Sequence, residues 1–229
     1  MLPKALNQVS QGTKNRIIPL GNDDYVANYK WLIHTIANNL LGPGQKYEFD
    51  EYNKPVFEAM LNYFLGRPGE LDLNKGIGLM GNFGSGKSTI FEIFHRFLKT
   101  AFPFNENLFR ITSIEEIISE MKSQNFLDSV YLYNLKDNES GVGVPNPIHI
   151  LINEFGYKYD AKSYGTDVNE YVDMFLMKRY DIFQTYGKLV HITTNCDIDD
   201  MKQLFHERII DRLKEMFKMI ALKGNSRRK

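Results

Sequence analysis

The chain has 229 residues, 43% of them hydrophobic, and its 28 Lys plus Arg are matched by 28 Asp plus Glu. That length suits one ordinary α/β domain with a short appended segment, and the charge balance leaves any nucleic-acid contact to a local patch rather than a global field. The single cysteine, Cys196, excludes an intrachain disulfide framework and a cysteine-rich zinc site, and reads most simply as a small buried residue. No run approaches the ~18 apolar residues of a membrane span, and the opening MLPKALNQVSQGTKNR has no apolar signal core, so a cytoplasmic protein with no membrane partner is expected.

Residues 1–22 are polar, carry Pro3, Gly12, Pro19 and Gly21, and read as an irregular arm. From Asp23 to Leu41, Tyr25, Tyr29, Leu32, Ile33, Ile36 and Leu40 recur at helical spacing, and Gly42-Pro43-Gly44 ends the run. This helix either packs on the main domain or meets a partner. Tyr52, Val56, Phe57, Met60, Leu61 and Phe64 mark a second helix, and Gly66-Arg67-Pro68-Gly69 turns the chain towards a strand. The expected division is an N-terminal arm and helical segment over 1–52 and a main domain over 53–229.

The strand GIGLM leads into GNFGSGKS and the helix TIFEIFHRF. Gly81, Gly86, Lys87 and Ser88 fill every fixed position of the phosphate-binding pattern G-x-x-x-x-G-K-[ST]. Glycines let backbone N–H groups turn inward around a polyphosphate, and the helix that follows aims its positive end at the same anion. Gly81, Asn82, Phe83, Gly84, Ser85, Gly86, Lys87, Ser88 and Thr89 are therefore the candidate nucleotide-binding stretch, with Lys87 on the β- and γ-phosphates and Ser88 on Mg²⁺. A glycine-rich turn without a ligand is the plain alternative.

Beyond the loop helix, Leu108 to Thr112 reads as a short strand, and Ser113 with Glu116 as a capping box opening the helix IEEIISEMKS. Asn125 to Val144 suggests a short helix and a long loop. The apolar run IHILINEFG reads as a buried parallel strand, whose carboxyl end is where open α/β sheets place ligands. A long helix over roughly Asp167 to Tyr186 follows, with Tyr171, Met174, Phe175, Met177 and Ile182 as apolar anchors. KLVHITTN gives another strand, Asp199 to Phe217 one or two helices, and Phe217 to Leu222 a last strand before KGNSRRK. Strands alternating with helices predict a doubly wound parallel sheet.

Three features narrow the chemistry. Asn153 and Glu154 end the IHILINEFG strand where a Walker B element delivers an Asp to the Mg²⁺ shell and a Glu that polarises the attacking water. Glu154 fits the second role. Asn153 occupies the metal position without the charge that a hard cation favours, so metal affinity and turnover are expected to suffer more than nucleotide binding. Asn195, closing Thr193-Thr194-Asn195, has the donors and acceptor to bond a γ-phosphate or a water. Arg208 and Arg212 lie four apart on one helix face, as solvated arginines or pairs with Glu207 or Asp211 if nothing else engages them.

In GLMGNFGSGKST, ILINEFG, YGTDVN, HITTN, ERIIDRLKEM and GNSRRK, the chain from about Asn53 onward resembles the AAA+ ATPase core of the DnaC/IstB family of helicase loaders and transposition helpers. The resemblance implies an α/β AAA+ P-loop NTPase core with a parallel doubly wound sheet, a short helical N-terminal segment and a reduced or absent C-terminal lid. It implies ATP and Mg²⁺ as cofactors, Asn195 as sensor 1, Arg212 as a finger given to a neighbour's nucleotide with Arg208 its companion, and a sensor 2 arginine at Arg228, or Arg227 if the register slips by one. Partners implied are a replicative DnaB-type helicase, single-stranded DNA and further copies of the chain, assembled through the arginine finger. Lys158, Lys162, Tyr157, Tyr159 and Tyr164 interleave cations with base-stacking rings, as single-strand binding requires and as a solvated loop with packed tyrosines also would. Two further readings stand beside the loader: an IstB-like transposition helper, and an ATP-gated binding module that turns over little because of Asn153.

Overall fold

A computed structural model describes residues 16–42, 44–123, 135–137, 143–145, 147–156, 168–224 and 226–227. After a 3-10 turn at Asp23–Tyr25 come α1 (Val26–Asn39), α2 (Lys54–Phe64), β1 (Gly76–Met80), α3 (Lys87–Ala101), β2 (Phe109–Ser113) and α4 (Ile114–Ser123). Then follow β3 (Leu135–Asp137), β4 (Gly143–Pro145), β5 (His149–Phe155), α5 (Val168–Tyr186), β6 (Val190–Thr194), α6 (Ile198–Leu204), α7 (Glu207–Met216) and β7 (Phe217–Ala221). The short apolar runs become the central sheet, ordered β2-β5-β6-β1-β7 with every neighbouring pair parallel. Ile77, Leu79, Ile150, Leu151, Ile152, Val190 and Ile192 are fully buried, because helices cover both faces of a parallel sheet. The order leaves β6 between β1, which feeds the phosphate loop, and β5, which carries Glu154.

The main helices are amphipathic and bury their expected stripes: Val56, Phe57, Met60, Leu61 and Phe64 on α2, Ile90, Phe91, Phe94 and Phe97 on α3. Three expected anchors fall outside the core. Tyr25 sits in the 3-10 turn and Tyr52 before α2, so both lack the helical phase assumed for them and stay exposed. Met174 is exposed on α5, where Val172, Phe175, Leu176, Ile182 and Phe183 make the buried stripe instead. The capping box at α4 is half formed: the Glu116 N–H donates to Ser113 Oγ at 3.2 Å, but the Glu116 carboxylate accepts the Thr112 hydroxyl at 2.9 Å. Within 125–144, the described residues 135–137 and 143–144 belong to the antiparallel pair β3–β4, while 125–134 and 138–142, over which the short helix and long loop are expected, lie outside the described residues.

Residues 16–52 share the core of the rest. Ile17, Ile33 and Ala37 are buried in the same apolar cluster as α2 and α3, with Tyr29 against Phe97 and Phe102 at 5.9 and 5.5 Å between ring centroids. Ile17 N–H donates to Leu73 O and Leu20 N–H to Leu65 O, while the buried Asn107 amide grips Ile18 from both sides and Phe64 O as well. Among the described residues, α1 and the segments flanking it thus pack on the same apolar core as the chain from Asn53 onward. No helix among them is long and apolar enough to cross a membrane.

Candidate nucleotide-binding site

The Gly81–Ser88 loop bends where its glycines allow. Gly84 and Gly86 adopt φ of 74° and 97°, a region costly to other residues, and a Cβ on Gly81 would lie 2.5 Å from Leu222 O. Helix α3 begins at Lys87, so its unsatisfied N–H groups face the loop interior. The Lys87 ammonium is drawn inward and donates to Gly81 O at 2.8 Å, Asn82 O at 2.9 Å and Asn195 Oδ1 at 2.7 Å. Ser85 is buried, Ser88 is exposed at the helix start, and Phe83 projects from the loop with 62% of its surface exposed.

A cleft opens over this loop, lined by Leu41, Phe83, Gly84, Gly86, Lys87, Ser88, Thr89, Glu154, Thr193, Asn195 and Arg227. A second cleft adjoins it through Phe83, Glu154 and Asn195 and runs on to Cys196, Asp200 and Leu204. Burial pushes the Cys196 thiol up, and its sulfur donates to Gly156 O at 3.0 Å; it is half-buried on this second cleft rather than fully buried as expected.

The wall facing the loop depends on an irregularity in β5. Ile152 pairs with Ile192 but Phe155 with Thr194, so β5 spends one more residue than β6 over that interval. Such a bulge re-aims side chains at a strand end. Here it puts Glu154 at φ 56°, a left-handed conformation that costs a non-glycine residue about 1–2 kcal/mol. The buried Thr193 hydroxyl holds it there, accepting the Glu154 N–H at 3.0 Å and donating to Asn153 Oδ1 at 3.2 Å. Glu154 is thereby exposed in the cleft, whereas Asn153 is not among the residues lining it.

Among the described residues no group of three or more His, Cys, Asp or Glu is arranged to hold a metal. Among the side chains lining the cleft, Ser88, Thr89 and Thr193 carry hydroxyls, Asn195 an amide oxygen and Glu154 the one carboxylate. That sparse set suits Mg²⁺ carried in with a polyphosphate, since Mg²⁺ keeps waters and phosphate oxygens for most of its shell. The Asn153 amide oxygen, expected at the metal, is engaged by Thr193.

The remaining expected residues divide. Arg212 lies away from this cleft: its NH1 reaches the Met177 sulfur and its guanidinium sits over the Tyr180 ring, 4.5 Å from the centroid, both on α5. Arg208 is exposed one turn earlier on α7. Arg228 lies outside the described residues, as do Tyr157, Lys158, Tyr159, Lys162 and Tyr164. Arg227, the alternative by one position, packs on the phosphate loop: its N–H donates to Gly84 O at 2.8 Å and its Nε to Ser85 O at 3.2 Å. Thr193, Leu41 and the partners of Arg227 have no local signal in the sequence, because each acquires its role through tertiary contact.

A parallel sheet with one strand inserted between the phosphate-loop strand and the Glu154 strand, its polar strand ends facing the loop, is an α/β fold that this chain shares with solved helicase loaders and a replication initiator. Among solved structures it is similar to the DnaC helicase loader, at a TM-score of 0.54 and 15% identity over 77% of this chain and 93% of that one. It is similar to DnaI at 0.51 and 17%, over 85% and 93%. DnaA from Aquifex aeolicus, bound to AMPPCP, matches at 0.50 and 10%, over 79% of this chain and 50% of that one. No family model matches the chain, and no curated protein matches it by sequence.

Proposed function

We propose that the protein is an ATP-dependent helicase loader of replication initiation, which binds ATP with Mg²⁺, engages single-stranded DNA and delivers a replicative helicase. The observation that carries this reading is the convergence of Lys87, Ser88, Glu154, Asn195 and Arg227 on one cleft, from four separate parts of the chain. In the proposed mechanism the loop N–H groups and Lys87 bind the phosphates, with Lys87 exchanging its loop carbonyls for phosphate oxygens. Glu154 orients a water and takes its proton, and Asn195 holds the γ-phosphate or that water. Ser88 would hold a Mg²⁺ arriving with the nucleotide, and the ion would neutralise phosphate charge. Arg212 acts on the nucleotide of a neighbouring copy, in keeping with its place outside its own cleft. A DnaA structure bound to AMPPCP and single-stranded DNA has the same fold, which supports nucleotide and single-strand partners of this kind.

Steady-state ATP hydrolysis with and without single-stranded DNA tests the reading, with capture of a hexameric helicase measured beside capture of a transposase. DNA-stimulated turnover and helicase capture are expected. Capture of the transposase alone would make the protein an IstB-like transposition helper.

One observation favours a second reading, an ATP-gated binding module of low turnover. The Asn153 oxygen is engaged by Thr193, so the metal lacks a charged protein ligand at that position. In that case ATP binds, turnover is near background, and Asn153→Asp raises it. Robust turnover by the unaltered chain rules this reading out.

A further inference from the structure

Arg227 is tied to more than the loop it lines. Its NH1 donates to Glu48 O at 3.3 Å and its NH2 to Asp50 Oδ2 at 2.5 Å, so one guanidinium joins the phosphate loop to the segment between α1 and α2. Each side chain of the Asp50–Arg227 ion pair keeps 25% of its surface exposed. The other oxygen of Asp50 closes the turn that precedes α2, accepting the N–H groups of Tyr52 at 2.9 Å and Asn53 at 3.0 Å. Burial pushes the Asp50 carboxyl up, but the bonds from the Asn53 N–H, Arg227 and the Tyr52 N–H outweigh it and hold the group below its ordinary value. It is therefore an anion at neutral pH.

The charged side chains lining the cleft are Lys87, Arg227 and Glu154. With Asp50 against Arg227, the guanidinium charge is matched before any phosphate arrives. Its position does not depend on that match. The Arg227 backbone is bonded to Gly84, and Nε and NH1 are bonded to the neutral carbonyls of Ser85 and Glu48.

We infer that Asp50 is a positioning residue that acts through Arg227 to set how tightly the cleft takes a nucleoside triphosphate, and that bound nucleotide loosens the 45–50 segment. Phosphate oxygens and the Asp50 carboxylate compete for one guanidinium, and an arginine drawn to phosphate lets go of Asp50 and of Glu48 O. The segment keeps its second fastening, Asn53 Nδ2 to Glu48 O at 2.8 Å and the Asp50 N–H to Asn53 Oδ1 at 3.0 Å, so the loosening is local. The N-terminal helical segment thereby senses whether nucleotide is present. The inference rests on the nucleotide-binding reading above.

Asp50→Asn tests it in the full chain, because an Asn side-chain oxygen accepts the same turn N–H groups as Asp but carries no charge. ATP affinity is expected to tighten about fivefold, the worth of one partly exposed ion pair of about 1 kcal/mol. Amide hydrogen exchange over 46–53 should rise when ATP is added to the unaltered chain, and should already be raised in Asp50→Asn without ATP. In an Arg227→Gln background, Asp50→Asn should leave ATP affinity unchanged. Unchanged or weaker ATP binding by Asp50→Asn in the Arg227 chain overturns the inference, as does a tightening that persists without Arg227. If the unaltered chain binds no ATP, the nucleotide-binding reading fails with it, whereas ATP binding that ignores Asp50 sinks this inference alone.

Discussion

The two walls of the nucleotide cleft are built from different kinds of information. The Gly81–Ser88 loop takes its shape from its own eight residues and the helix they start, with positive φ at Gly84 and Gly86 and the Lys87 ammonium on loop carbonyls. The opposite wall joins Glu154 and Thr193, 39 positions apart, through a bulge in β5 and one buried hydroxyl. Binding should therefore follow the loop, and turnover the wall. Lys87 and Asn195 are where the two meet, bonded at 2.7 Å.

The largest effect should come from the loop. Lys87→Ala removes a charge-assisted donor from the phosphates, each such bond being worth about 1.5–3 kcal/mol, and also unties Asn195. ATP binding should become undetectable by calorimetry at micromolar protein, and turnover should vanish with it. Tight binding by this variant would break the division at its root.

Next is an arginine that belongs to neither wall of its own cleft. Arg212→Lys keeps a cation over the Tyr180 ring but loses the planar fork that a finger uses. A finger contributes roughly 10³ or more in kcat, so turnover should fall by about that factor while ATP affinity stays unchanged. Normal hydrolysis by this variant would remove Arg212 from the site.

Thr193→Val addresses the facing wall by itself. It keeps the buried shape and deletes both the acceptor for the Glu154 N–H and the donor to Asn153. Glu154 would lose the fastening that holds its left-handed backbone, and kcat should drop between about tenfold and a hundredfold, in the range of a misplaced general base, with ATP affinity unchanged. Thr193→Ser, which restores the hydroxyl, should recover most of the rate. An equal loss in both variants would mean that the methyl group, not the hydroxyl, matters.

These contrasts also explain what was legible beforehand. The phosphate loop, the strand-helix alternation and the parallel sheet follow from local pattern, and so does Glu154 as the acidic end of an apolar strand. The bulge does not, since ILINEF carries no glycine or other local mark of the extra residue, and it is held by the Thr193 hydroxyl where β5 and β6 fall out of register. The expected metal role of Asn153 assumed a side chain free to turn towards the cleft. Its hydrogen bond to a residue 40 positions away could not be read from the strand alone. Nor could the Asp50–Arg227 pair, whose members stand 177 positions apart.

The smallest expected effect reaches the wall through the sheet beneath it. His191 on β6 and His149 on β5 are buried and accept backbone N–H groups at Nδ1, from Ile77 at 3.1 Å and Leu189 at 2.9 Å, so each must be neutral to do so. Burial, with the nearby Arg179 guanidinium adding to it, pushes His191 from 6.5 to about 3. Burial also drives His149 well below its ordinary value, with Lys188, His191 and Arg179 contributing. Both pKa values are depressed in the folded state, so their contribution to stability is complete above about pH 6.5 and is lost as pH falls towards the folded values. Each histidine adds a slope of up to about 1.4 kcal/mol per pH unit, a tenfold change in the folding equilibrium. Denaturant midpoints measured from pH 7 down to pH 5 should show it before carboxylates begin to protonate. His191→Asn retains an acceptor for Ile77 and should remove its share of the slope, up to about 1.4 kcal/mol per pH unit, whereas an unaltered slope would mean that the strand ends are held by something other than neutral imidazoles.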